Sequence, residues 1–103
     1  MKQFDIFRNP DPVFARRRPY LVVLQSDFLN TVETVVVAPL APATRTKQIE
    51  RLTPAIEISG TPHVLLVHEM APVTRTRLKR AVGTMAAKRD EILAAVDLIF
   101  VGF

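Results

Sequence analysis

Phe4 and Ile6 alternate with Gln3 and Asp5, a period of two that predicts a half-buried first strand, with Phe7 closing it. Tyr20 to Leu24 runs apolar without a break. That predicts a strand covered on both faces, since a strand with one face in water would alternate. Thr34 and the β-branched run Val35-Val36-Val37 predict another strand, ending near Pro39. Ile56 and Ile58 flank Glu57, Ser59-Gly60-Thr61-Pro62 offers a turn, and His63 to Val67 returns apolar, so together they predict a hairpin. Val73 to Leu78 alternates Arg with Thr, which suits an edge strand whose charges discourage strand addition.

The period changes near the C-terminus. At 100° per residue Met85, Ile92, Leu93, Val96, Ile99, Phe100 and Phe103 share one arc, predicting an amphipathic helix over Met85 to Phe103. Gly83 interrupts the preceding pattern, and the Thr84 hydroxyl can turn back onto free N–H groups of the first turn. Lys88 and Arg89 flank the arc, where long stems can lie along apolar surface. Leu98 and Val101 fall on the polar side, so the last six residues are almost wholly apolar. They either tuck into their own domain or form a contact surface for another chain.

Pro10, Pro12 and Pro19 with Arg16-Arg17-Arg18 make the segment from Arg8 to Pro19 an exposed loop with a basic tip. Leu40 to Pro54 reads as a long loop with one helical turn, of the kind that is mobile or occupied by a partner. The linking segments lack crossover helices, so five or six short strands should pair mostly antiparallel. The expectation is a mainly β fold with a C-terminal α-helix, a small barrel or two packed sheets, as a single domain over residues 1–103.

Composition narrows the chemistry. With no cysteine there is no disulfide framework and no thiolate metal site. No stretch approaches a membrane span, and a soluble, cytoplasmic protein is expected. A net charge of +4 favours an acidic partner. The cations cluster at Arg16/Arg17/Arg18, at Arg45/Lys47/Arg51 and at Arg75/Arg77/Lys79/Arg80, each a solvated face or a docking patch. His63 and His68 have no third ligand at a metal-binding spacing, and no metal or cofactor is expected. Gly-rich phosphate loops and hydrolase or metalloprotease motifs are absent. A ribonuclease-like set can be assembled only as Arg75, Asp27 and His68, and the chain is not expected to be an enzyme.

Gln25-Ser26-Asp27 followed by two large apolar residues, Pro39-Leu40 after the Val run, Met70-Ala71, and Phe100-Val101-Gly102-Phe103 at the close occur in an order that resembles the CcdB family of bacterial toxins. The resemblance covers nearly the whole chain. It implies an SH3-like barrel with antiparallel sheets and a C-terminal helix, of CcdB/MazF type, and a homodimer joined partly through those helices. It also implies a toxin of a type II toxin–antitoxin system that traps the cleaved-DNA complex of DNA gyrase by binding its breakage-reunion subunit. An antitoxin with an acidic, flexible tail would neutralise it, and the pair would repress its own operon, reaching operator DNA through the antitoxin. By position, the gyrase contacts would be Phe28, Leu29, Asp97, Phe100, Val101, Gly102 and Phe103. Arg16, Arg17, Arg18, Arg45 and Lys47 would receive the antitoxin. The family's Trp before the Gly is Val101 here, its terminal aliphatic residue is Phe103, and its amide is Asp97. Losing a Trp anchor can cost about 2 kcal/mol or more at an interface. The alternatives are an endoribonuclease toxin on the same fold and a non-toxic homologue that keeps only antitoxin and operator binding.

Overall fold

A computed structural model describes residues 1–29 and 31–102. An antiparallel sheet curls into a half-barrel closed by a C-terminal helix. Its strands are β1 (Asp5–Arg8), β2 (Tyr20–Val23), β3 (Thr34–Pro42), β4 (Ala55–Ile58), β5 (Thr61–Leu65), β6 (Ala71–Thr74) and β7 (Ala81–Thr84), followed by α1 (Arg89–Phe100). The order across the sheet is β4-β5-β3-β2-β1-β7, with β6 also on β3.

β3 is the hub. One edge pairs with β2 from Val37 to Leu40. The other takes two partners end to end: β6 along Thr34 to Val37, then β5 along Leu40 to Pro42. This explains why the strand does not stop near Pro39. Pro39 sits in the gap between β6 and β5, its carbonyl accepting from the Leu66 N–H at 2.9 Å. A residue's N–H and C=O point to the same side of a strand, so the N–H that proline lacks would have faced that gap and not β2.

The β4–β5 hairpin forms as expected, Ile58 opposite Thr61. Ser59 (φ 52) and Gly60 (φ 79) are both left-handed, the twist a two-residue hairpin turn requires. The unbroken apolar run of β2 is explained by two cores. Val22 joins Phe4, Ile6, Ala38, Leu40, Leu65, Val67, Met85, Ile92 and Ala95 on the inner side. Leu21 and Val23 join Phe7, Val35, Val37 and Leu78 on the outer side.

Seven strands form among the described residues where five or six were expected, and two further boundaries differ from the pattern. The Arg/Thr alternation ends as a strand at Thr74, because Arg75 turns in to close the neighbouring loop. Its Nε donates to the Val32 carbonyl (2.9 Å), its Nη2 to those of Leu29 (3.0 Å) and Thr34 (3.4 Å), and its backbone N–H to Glu33 (2.9 Å). Arg75→Ala should therefore lower unfolding stability by about 1–2 kcal/mol in a denaturant titration. Arg75→Lys should rescue little, since an ammonium lacks the planar fork.

The second difference lies before the helix. Ala81 to Thr84 forms β7 on β1, and α1 starts only at Arg89. Thr84 does cap: its Oγ accepts the Ala86 N–H at 3.1 Å, but in the short 3-10 turn Ala86–Lys88 that leads into the helix. Arg89 lies over the Phe4 ring, 5.9 Å from its centroid, the flanking cation on apolar surface that the pattern anticipates.

Candidate functional site

The helix end is built by a change of surroundings along one face. Ile92 and Ala95 are fully buried and Leu93 and Val96 half-buried, whereas Phe100 is 70% and Val101 74% exposed. The apolar arc leaves the core in the last turn. The Asp97 carbonyl accepts from the Val101 N–H (2.8 Å) and the Gly102 N–H (3.2 Å), so the chain folds back around it and holds both residues outward. Gly102 has φ 82, the left-handed closing conformation in which glycine carries no Cβ penalty. The Asp97 side chain is exposed on the same end. Phe103 lies outside the described residues.

Phe28, 96% exposed, and Leu29 ride a 3-10 turn over Asp27–Leu29. The Asp27 carboxylate accepts from the Gln3 N–H at 2.8 Å, and the Gln3 amide oxygen takes a contact from Arg89 at 3.4 Å. The turn is thus tied to the start of α1. A twelve-residue helix is about 18 Å long. Within one chain, therefore, Phe28 and Leu29 do not meet Asp97, Phe100 and Val101.

The basic residues do converge. Arg16, Arg17 and Arg18, from the loop before β2, and Arg45 and Lys47, from the loop after β3, line one groove of about 570 Å³ with His68 and Glu69. The register causes this: Tyr20 pairs with Leu40, so the entry to β2 and the exit from β3 lie at the same end of the sheet. Arg18 is engaged within the fold, its Nε and Nη2 each 3.0 Å from a Glu69 carboxylate oxygen. The other four cations are left facing the groove without an acidic partner in an ion pair among the described residues.

The hydrogen bond from Arg18, helped by the charges of Arg18 and His68 and opposed by burial, holds the Glu69 carboxyl below its ordinary value of 4.5. With the folded value depressed, the pair's stabilisation is complete above about 4.5 and disappears as pH falls through the lower folded value. Both side chains are partly exposed, so it is worth under about 1 kcal/mol. Glu69→Gln should lower the melting temperature slightly at pH 7, and the difference from the parent should shrink as pH falls from about 4.5 through the lower folded value. Glu69, Thr46, Ile49 and Leu66 line the groove without having been singled out in the sequence. Nothing local marks a pair as distant as Arg18 and Glu69.

The ribonuclease-like set does not assemble. Arg75 is committed to carbonyls around Thr34 and Asp27 to the Gln3 backbone, while His68 is exposed on the basic groove with Pro42, at the opposite end of β3. His63 is a buried structural residue. Its Nδ1 lies 2.8 Å from the Thr61 carbonyl, which can only accept, so Nδ1 carries the proton, and its ring meets Tyr20 edge-on at 5.6 Å. Among the described residues no group of three or more His, Cys, Asp or Glu is arranged to hold a metal ion, and no helix is long and apolar enough to cross a membrane.

A curled antiparallel sheet closed by one C-terminal helix, with an exposed apolar helix tip and a basic groove, is a small barrel of the CcdB type. The CcdB protein family model matches residues 3–102, and the chain belongs to the CcdB family. No curated protein matches it in sequence. Among solved structures, it is similar to an endoribonuclease in complex with its cognate antitoxin from a Mycobacterial species, with a TM-score of 0.73 and 15% identity over 94% of this chain and 91% of that one. It is also similar to an endoribonuclease from a Mycobacterial species, with a TM-score of 0.71 and 16% identity over 94% of this chain and 88% of that one. At these identities the likeness is one of fold.

Proposed function

We propose that the chain is the toxin of a type II toxin–antitoxin pair and acts without catalysis, by binding the breakage-reunion subunit of DNA gyrase and trapping its cleaved-DNA complex. The observation that carries this reading is the helix tip. Phe100 and Val101 stand in solvent on a helix end closed by hydrogen bonds to the Asp97 carbonyl, and burying them against a partner is worth more than leaving them in water. Phe28 and Leu29 are a second apolar contact, and since they lie at the other end of α1, a homodimer would be the unit that presents both to one target. Asp97 and Gly102 shape the tip.

An acidic antitoxin segment occupies the groove of Arg16, Arg17, Arg45 and Lys47, with Arg18 pinning its wall through Glu69. The structural neighbour bound to its own antitoxin supports a partner of that kind on this fold. In a cytoplasmic setting the pair would also reach operator DNA through the antitoxin.

The deciding experiment is a gyrase assay with purified enzyme, scoring trapped, cleaved plasmid beside a variant lacking Val101-Gly102-Phe103. Trapping by the intact chain alone supports the reading. No trapping by either removes it and leaves the endoribonuclease and the homologue that binds only antitoxin and operator.

A second reading is an endoribonuclease. It is favoured by His68, an imidazole in a basic groove, on a fold shared with two endoribonucleases. Cleavage of bare RNA by the pure protein, abolished by His68→Ala, would select it.

A further inference from the structure

The outer face of the sheet carries a second group of cations that the reading above leaves unused. Arg8, at the end of β1, meets Arg77, Lys79 and Arg80, from the segment between β6 and β7, around a depression of about 450 Å³. All four are exposed, and among the described residues none has an ion-pair partner. Four unneutralised cations around one hollow repel one another, a strain that an anionic partner would relieve.

Between this group and the basic groove lies a third depression of about 350 Å³. Its floor is apolar, made by Leu21, Val37, Pro39 and Val73, with the exposed Phe14 on its rim. Arg18 and Glu69 line both this trough and the basic groove, while Asn9, Pro10 and Arg77 line both it and the second group. The three hollows adjoin as one track, cationic at both ends and apolar in the middle.

We propose that this track docks one extended acidic polypeptide segment, whose acidic side chains are held at both mouths and whose apolar side chains lie on the middle floor, with Arg8, Arg77, Lys79 and Arg80 as its second anchor. The inference rests on the basic groove being the antitoxin site and extends it, specifying a segment acidic at two places with an apolar stretch between. The molecule's extents of 33 × 32 × 23 Å bound the track to about ten extended residues at about 3.3 Å each. A polypeptide fits better than nucleic acid. A nucleic acid would carry a phosphate at every nucleotide, including over the apolar floor, where Asp11 and Glu69 contribute carboxylates and Arg18 is already paired. A peptide can concentrate charge at its ends and lay alternate side chains into the trough.

The probe is a fluorescein-labelled peptide of about twelve residues, acidic at both ends with Leu-Val-Phe-Leu at its centre, read by anisotropy at about 0.15 M salt. Lys79→Glu with Arg80→Glu should weaken it at least about 10-fold, as should Arg45→Glu with Lys47→Glu. Lys2→Glu with Lys88→Glu, the same change in net charge on surfaces outside the track, should leave binding within about 2-fold. Melting curves of every variant matched to the parent keep a folding defect from counting as a loss. Loss with the Arg45/Lys47 pair but not the Lys79/Arg80 pair overturns the second anchor and leaves the antitoxin groove standing. Loss with neither overturns both, and equal loss with the Lys2/Lys88 pair reduces the effect to net charge and overturns the track. An oligouridylate that binds more tightly than the peptide, and is released by both track reversals, assigns the track to nucleic acid and overturns the polypeptide.

Discussion

Ile92→Ala should cost about 3–4 kcal/mol of unfolding free energy, seen as a lower urea midpoint with an unchanged slope. Ile92 is fully buried on the inner core, where the helix face of Ile92 and Ala95 lies among Phe4, Ile6, Val22, Leu40, Leu65, Val67 and Met85. These residues come from four strands (Ile6, Val22, Leu40 and Leu65), from just before β1 (Phe4), from the turn after β5 (Val67) and from the turn before the helix (Met85), so no one of them can move in to fill the space without dragging its own element. The residual cavity therefore stays open, which is the condition that makes a truncation expensive. A domain of this size has about 5–10 kcal/mol in hand, so the variant should still fold at room temperature but melt well below the parent. Ile92→Val, which removes a single methylene, should cost about 1 kcal/mol. A loss under about 1 kcal/mol for the alanine variant would mean that α1 is held by something other than this face.

That helix was legible in the sequence because its signal is local. The arc Ile92, Leu93, Val96 specifies which side faces inward whatever the rest of the chain does. The β2 run, the β4–β5 hairpin and the Val35-Val36-Val37 strand were legible for the same reason. What could not be read depended on pairing. Pro39 reads as a stop, and it becomes tolerable only because β3 changes partner at that residue. β7 was hidden because Ala81, Val82, Gly83 and Thr84 are all exposed and carry no apolar alternation, so only its ladder with β1 makes it a strand. Arg75 looked like one cation of a surface run, while its fork in fact closes a loop 41 to 46 positions earlier. The basic candidates share one groove, which their spacing in the sequence does not announce. Arg16 and Arg45 come from separate loops, and only the antiparallel register of β2 on β3 delivers both to one groove.

If the chain binds gyrase as proposed, Phe100→Ala should weaken binding to the breakage-reunion subunit at least about 30-fold while leaving the melting temperature within a degree or two of the parent. The two halves of that expectation have one cause. Phe100 is on the face that has already left the core, so it contributes little to folding and has its ring free for a partner. An aromatic anchor seated in a desolvated pocket is worth about 2 kcal/mol or more, which is the 30-fold expected in a surface-immobilised binding assay. Gly102→Ala separates contact from presentation. Its added Cβ would meet no atom within 4 Å, so nothing clashes, but φ 82 is strained for any residue with a side chain. The strain of about 1–2 kcal/mol would be relieved by unwinding the turn around the Asp97 carbonyl, which aims Phe100 and Val101 elsewhere. Gly102→Ala should therefore also lose gyrase affinity without losing Phe100. Val101→Trp should gain affinity, by restoring a broad π face and an N–H donor next to that glycine. Should Phe100→Ala bind as the parent does, the tip is not the anchor, and Phe28 becomes the residue to test.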